Sequence, residues 1–155
     1  MFKILPLSRV PHVLGTCIGW TDREWSAAAG FSPLDWHAEC QRIEDDPVDE
    51  IFVAFLDGKP VGMAWMVERE GIDTHRHLTP WLSSLVVDPD YRDKGIASAL
   101  VSHVERYAAL GGDERLHLLT ETPSYYFPMG WDVLDIAEVG DRSVYVMDKR
   151  LKQAA

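Results

Sequence analysis

Two apolar, β-prone runs, residues 51–56 and 61–67, stand on either side of Asp57-Gly58. An Asp-Gly pair between such runs marks a tight hairpin, because both central residues of that turn need positive φ. An antiparallel hairpin in the middle of the chain argues against a doubly wound, all-parallel sheet. The elements around it fit the same conclusion. Residues 2–7 read as a first strand and 11–25 as a helix. Ser32-Pro33-Leu34-Asp35 reads as a second helix start, with a Ser cap, Pro at the first helical position and an acid in the first turn. That helix runs to about residue 44 and stops before Pro47. Residues 82–88 form a strand ended by Pro89. Residues 96–110 place Ile96, Leu100, Val101, Val104 and Ala108 on one helical face, with Gly111-Gly112 as the stop. Strands follow at 116–120 and 144–147, with a weaker one at 133–139. The expected fold is α/β of the α+β type: a mixed, mostly antiparallel sheet of six to seven strands flanked by helices.

The chain of 155 residues is short enough for one domain over 1–155 and long enough to bury a core. Its 46% hydrophobic and 26% charged residues exclude a disordered chain. No apolar run reaches the length of a membrane span, and residues 1–6 lack the pattern of a secretory signal, so a cytoplasmic location is expected. With 25 acids against 15 Lys and Arg the formal charge is −10. Such a field disfavours nucleic acid and anionic membranes and raises the local concentration of small cations. Acidity also keeps a protein soluble with no further purpose. Cys17 and Cys40 show neither a disulfide framework nor a zinc spacing and read as buried apolar residues.

The chemistry concentrates in residues 85–100, LVVDPDYRDKGIASAL. A buried strand ends, a short loop turns, and a helix begins without an obvious cap. The free amides and positive dipole end of such a helix bind anions. Gly95 and Ala97 are small where a phosphate must approach the backbone, and Ser98 can add a hydroxyl donor. The spacing is neither that of a Walker loop nor that of a dinucleotide fingerprint.

The run Val87-x-Pro89-x-Tyr91-Arg92-x-x-Gly95-Ile96-Ala97-x-x-Leu100 resembles the coenzyme-A signature of the GNAT superfamily of N-acetyltransferases, (Gln/Arg)-x-x-Gly-x-(Gly/Ala) after a strand. The resemblance extends to the Asp57-Gly58 hairpin, to Pro80-Trp81-Leu82 entering the fourth strand, and to Tyr126-Phe127-Pro128-Met129-Gly130-Trp131, which matches a Tyr-x-x-x-Gly-aromatic element. It implies acetyl-CoA as cosubstrate, no metal, and direct transfer of the acetyl group to an amine in a ternary complex. Leu85, Val86 and Val87 would bond the pantetheine arm. The backbone of Arg92, Asp93, Lys94, Gly95, Ile96 and Ala97, joined by Ser98, would hold the pyrophosphate. Backbone binding suits the segment 88–97, whose three acids outnumber its two bases. Asp93 stands where many members of the family have Gly.

Tyr126 would be the general acid that protonates the leaving thiolate, with Tyr125 in reserve. A phenol keeps its proton at neutral pH and can donate it in the transition state. Packing in the C-terminal hydrophobic cluster is the plainer role for Tyr126. For the base, Glu68, Glu70 and Asp73 after the third strand and Glu121 after the fifth are candidates. Glu121 is preferred because in the family that strand end lies beside the thioester, although a solvated loop acid is its ordinary reading. Loss of the proton through ordered water is compatible as well. His75-x-His77 offers two ligands without a third, which argues against a metal. His103 is expected in solvent and His117 as a paired core histidine. The tryptophans read as core, Trp81 excepted, since it enters the fourth strand at the substrate-facing end. The expected partner is a small-molecule amine, cationic by the charge argument, and a homodimer stays open. A coenzyme-A-binding sensor or scaffold without turnover is the alternative function.

Overall fold

The computed structural model describes residues 1–70 and 72–153, the Asp73 side chain excepted, so the expectation for Asp73 lies outside the described residues. One sheet of seven strands spans the molecule in the order β1-β2-β3-β4-β5-β7-β6. The strands are β1 Phe2–Pro6, β2 Glu50–Leu56, β3 Lys59–Val67, β4 Trp81–Val87, β5 Arg115–Thr120, β6 Asp132–Val139 and β7 Arg142–Arg150. All neighbouring pairs are antiparallel except β4 with β5. Among the described residues the α-helices are α1 Leu14–Ala29, α2 Pro33–Asp45 and α3 Ile96–Leu110, and none is long and apolar enough to cross a membrane.

The hairpin joining β2 to β3 turns at Asp57 and Gly58, with φ of +50° and +82°, as its sequence requires. The continuous apolar runs of β2 and β3 follow from coverage of both sheet faces. Ile51, Val53 and Phe55 join the core under α1 and α2, while Phe52 and Ala54 join the core under α3. α2 begins as expected: Asp35 N–H donates to Ser32 Oγ at 3.3 Å and Ser32 N–H donates to Asp35 Oδ2 at 2.8 Å. α1 differs from expectation. Residues 11–13 are a 3₁₀ turn, and the helix continues four residues past Trp25 to a stop at Gly30.

β6 and β7 are longer than the sequence pattern suggested. Asp148 hid part of β7, because a charged residue inside a strand reads as a break. It is buried and accepts from Arg115 of β5 at 2.9 Å.

α3 buries the face its spacing predicted: Ile96, Leu100, Val101, Val104 and Ala108. Leu100 is fully buried against the sheet. Leu100→Ala is expected to lower unfolding stability by about 2–5 kcal/mol through lost transfer energy and the cavity left behind. Urea denaturation measures this as a lower midpoint at unchanged slope.

Candidate active site

The parallel pair β4–β5 touches at a single register position, Trp81 opposite His117. His117 N–H and the ring Nδ1 both bond the Pro80 carbonyl, at 3.1 and 3.0 Å. His117 is thus the paired core histidine its place in a strand suggested. Trp81 is 1% exposed, packs on that ring and donates to the Leu78 carbonyl at 2.8 Å. It is a core residue, contrary to the substrate-facing reading. Beyond this contact β4 and β5 have no further register pair, and two clefts flank their divergence.

The first cleft, of about 520 Å³, is lined by the end of β4, the loop after it and the start of α3. Of the expected cofactor residues, Leu85, Val86, Val87, Arg92, Asp93, Gly95, Ile96, Ala97 and Ser98 line it; Lys94 is exposed and does not. Gly95 is the N-cap of α3 at φ +79°, and no side chain caps the helix. The first helical bond runs from Ala99 N–H to the Gly95 carbonyl at 3.1 Å, leaving the preceding amides without intrahelical partners. Asp93 is exposed at φ +63°, a left-handed conformation that Asp tolerates and that explains why glycine suits this position. Arg92 Nε donates to the Val87 carbonyl at 3.3 Å, and its guanidinium lies 4.0 Å from Glu24 of α1, an acid that also lines this cleft.

The second cleft, of about 880 Å³, runs along β4 from Leu82 to Leu85. Its walls include Trp25 from α1, Phe31 from the turn after it, Trp36 from α2, Trp65 from β3, and Ser83 and Ser84 from β4. Five carboxylates, Glu39, Asp46, Asp49, Glu68 and Glu70, line it against two guanidiniums, Arg42 and Arg69. Arg42 is already engaged, donating to Glu39 at 2.6 Å and to Asp49 at 3.3 Å. Asp46, Asp49 and Glu68 each bring one oxygen within 4.8 Å of the others. Trp36 and Trp65 are core residues, as expected of the tryptophans, and turn an edge to the cleft, whereas the half-buried Trp25 and exposed Phe31 at its rim were not anticipated. The cluster of Trp25, Phe31 and Trp36 around Gly30 was the available signal.

Leu85 and Tyr126 are the two residues that line both clefts. Tyr126 sits between two successive 3₁₀ turns, Pro123–Tyr125 and Phe127–Met129. Its ring lies 5.0 Å from that of Tyr125 and 6.3 Å from that of Trp131. Burial, with a smaller effect from Tyr125, pushes its pKa up to about 12, so the phenol holds its proton. Tyr125 is 48% exposed and lines the first cleft alone.

The acids separate clearly. Glu121 is exposed, pairs with Arg142 at 3.1 Å and lines neither cleft. Glu68 is exposed on the second cleft. Glu70 is half-buried and its Oε1 accepts from Ser83 Oγ at 3.0 Å. Burial pushes its pKa up to about 7, against the lowering effect of the Ser83 bond, with a small contribution from the charge of Glu39.

The remaining histidines and thiols stand apart. His75 bonds Thr74 Oγ1 and Asp135 Oδ2 through its two ring nitrogens, at 2.7 and 2.9 Å, so neither faces a ligand. His103 is half-buried edge-on to Phe52 at 4.7 Å instead of lying in solvent. Cys17 and Cys40 are fully buried, and burial first of all raises both thiols to about 12.

The family model of the acetyltransferase (GNAT) family matches residues 16–127. An acetyltransferase of Pectobacterium atrosepticum is 28% identical over 109 residues, covering 67% of this chain and 72% of its own. An aminoglycoside 6'-N-acetyltransferase solved with coenzyme A superposes with a TM-score of 0.78 at 18% identity, covering 99% of both chains. The aminoglycoside 6'-N-acetyltransferase of Enterococcus faecium gives 0.76 at 18% identity, again over 99% of both chains. At such identities the structures speak for the fold alone, whereas the family match spans well over half of the sequence. The chain belongs to the GNAT family of acetyltransferases.

Proposed function

We propose that this protein transfers the acetyl group of acetyl-CoA directly to the amine of a small cationic acceptor. The observation that carries the reading is the meeting of two clefts at Leu85 and Tyr126. One presents uncapped helix amides to an anion, and the other presents carboxylates and aromatic rings to a cation. Two relatives of the same fold are named for N-acetylation of aminoglycosides, which are small amines.

Acetyl-CoA, when bound, supplies a thioester carbonyl open to amine attack and a thiolate leaving group. The amides at the start of α3 hold the pyrophosphate, and the backbone of β4 orders the arm. Tyr126 keeps a proton ready for the thiolate. An alkylamine is neutral to only about one part in 10³ at pH 7, so the acceptor must lose a proton. Glu70 is the base in this reading, replacing Glu121: it lines the acceptor cleft and titrates in the useful range. No cysteine lines either cleft, which favours direct transfer over an acyl-enzyme.

The test is release of free coenzyme A across a panel of amines. Turnover is expected with a cationic amine, with kcat rising as pH rises through about 7, because the ionised carboxylate is the active form. Glu70→Gln is expected to remove that limb and to lower kcat by about 10²-fold at neutral pH. Binding of acetyl-CoA without turnover on any amine would instead identify a sensor.

A further inference from the structure

Ser83 and Ser84 are consecutive in β4, and consecutive strand residues point to opposite faces of a sheet. Here both line the acceptor cleft. A bulge is the cause. The register advances two residues along β3, from Met63 to Trp65, while it advances three along β4, from Val86 to Ser83. Ser84 takes the turn at φ +52°, uncommon for any residue but glycine. The two hydroxyls are thereby brought within 3.3 Å of each other, and Ser83 Oγ donates to Glu70 Oε1 at 3.0 Å. Leu85, shared by both clefts, is the next residue. The result is a hydrogen-bonded chain, Ser84 to Ser83 to Glu70, that starts beside the junction of the clefts.

We infer that this chain relays the acceptor's departing proton to Glu70, with Ser84 the hydroxyl that meets the amine and Ser83 the positioning residue between them. The inference rests on reading the clefts as an acetyl-transfer site. An N–H bond of the ammonium breaks and its proton goes to Ser84 Oγ. The hydroxyl proton of Ser84 passes to Ser83, and that of Ser83 passes to the Glu70 carboxylate. The products are a neutral amine, two intact hydroxyls and a carboxylic acid, which returns its proton to solvent. The bulge thus gives a base set back in the loop after β3 contact with an amine at the thioester. Charged and titratable groups sharing Glu70's surroundings are Glu39, Arg42, Asp46 and Asp49 on the α2 side, Glu68 and Arg69 after β3, and His75 and Arg76 before β4. Tyr126 faces the same cleft from beyond β5.

The experiment compares wild type with Ser84→Gly, Ser83→Ala and Ser83→Thr at saturating acetyl-CoA, with spermidine, kanamycin and tyramine as acceptors, from about pH 6 to pH 10. Glycine accepts the backbone conformation of residue 84, so Ser84→Gly removes the hydroxyl and keeps the bulge. Ser84→Gly and Ser83→Ala are expected to lose about 10²-fold in kcat at pH 7 with acetyl-CoA affinity unchanged. The deficit is expected to shrink toward pH 10, where solution supplies neutral amine, and Ser83→Thr to recover most of the rate. Wild-type kcat and pH profile in Ser84→Gly would overturn the relay while leaving the transferase reading intact. A deficit equal at every pH would overturn it too, marking a structural role. A wild-type protein that binds acetyl-CoA and turns over none of the three amines would overturn the transferase reading itself, and the relay with it.

Discussion

Tyr126→Phe is expected to lower kcat by about 10²-fold or more, while the affinity for acetyl-CoA changes little. Phe keeps the ring and its packing against Tyr125 and Trp131, so the folded state should persist. The substitution removes the phenolic proton, and only that proton is asked to act in the transition state. Because burial raises the phenol to about 12, the acid stays protonated through the assay range and adds no limb of its own near neutrality. Tyr125→Phe serves as the comparison, since Tyr125 lines the donor cleft alone. The measurement is steady-state kinetics beside a direct acetyl-CoA titration. Loss of kcat in Tyr125→Phe alone would move the acid to that residue. Full activity in both variants would leave the thiolate to take its proton from water.

Gly95→Glu is expected to weaken acetyl-CoA binding by about 10- to 100-fold. Two effects act in the same direction. A side chain at φ +79° strains the N-cap of α3, and a carboxylate then stands beside the amides proposed to hold the pyrophosphate. A Cβ built at residue 95 meets nothing within 4 Å, so crowding is not the cause and the fold should survive. Gly95→Ala carries the strain without the charge and separates the two. In wild type, saturating acetyl-CoA is expected to raise the melting temperature by mass action, and in Gly95→Glu that shift should largely vanish. An undiminished shift in a folded Gly95→Glu would place the phosphate site elsewhere.

The cleft proposed for the donor was legible in the sequence because it is local. Residues 85–98 supply strand, loop and helix start in one stretch, and the features that matter there are small residues and exposed amides. Of the ten residues expected to bind the cofactor, Lys94 alone does not line the cleft, which fits the proposed binding by backbone and not by side-chain charge. The cleft proposed for the acceptor is assembled from α1, α2, the end of β3 and a bulge in β4, and no spacing in the sequence joins those pieces. Glu70 and Glu121 are indistinguishable as isolated loop acids. Tertiary structure alone decides that one is drawn toward Ser83 and the other toward Arg142. The bulge was hidden for a related reason, since Ser84 holds a backbone conformation that glycine usually announces.

Since the two clefts have just Leu85 and Tyr126 in common, the walls proposed to select the acceptor can drift without touching those proposed to hold the donor. The aromatic rim built by Trp25, Phe31 and Trp36 lies on α1, α2 and the turn between them, remote in sequence from residues 85–98. New acceptor preferences are therefore expected from single substitutions in that rim at constant cosubstrate affinity. A library confined to residues 25–36 should yield variants that differ in which amine they select and agree in how tightly they hold acetyl-CoA.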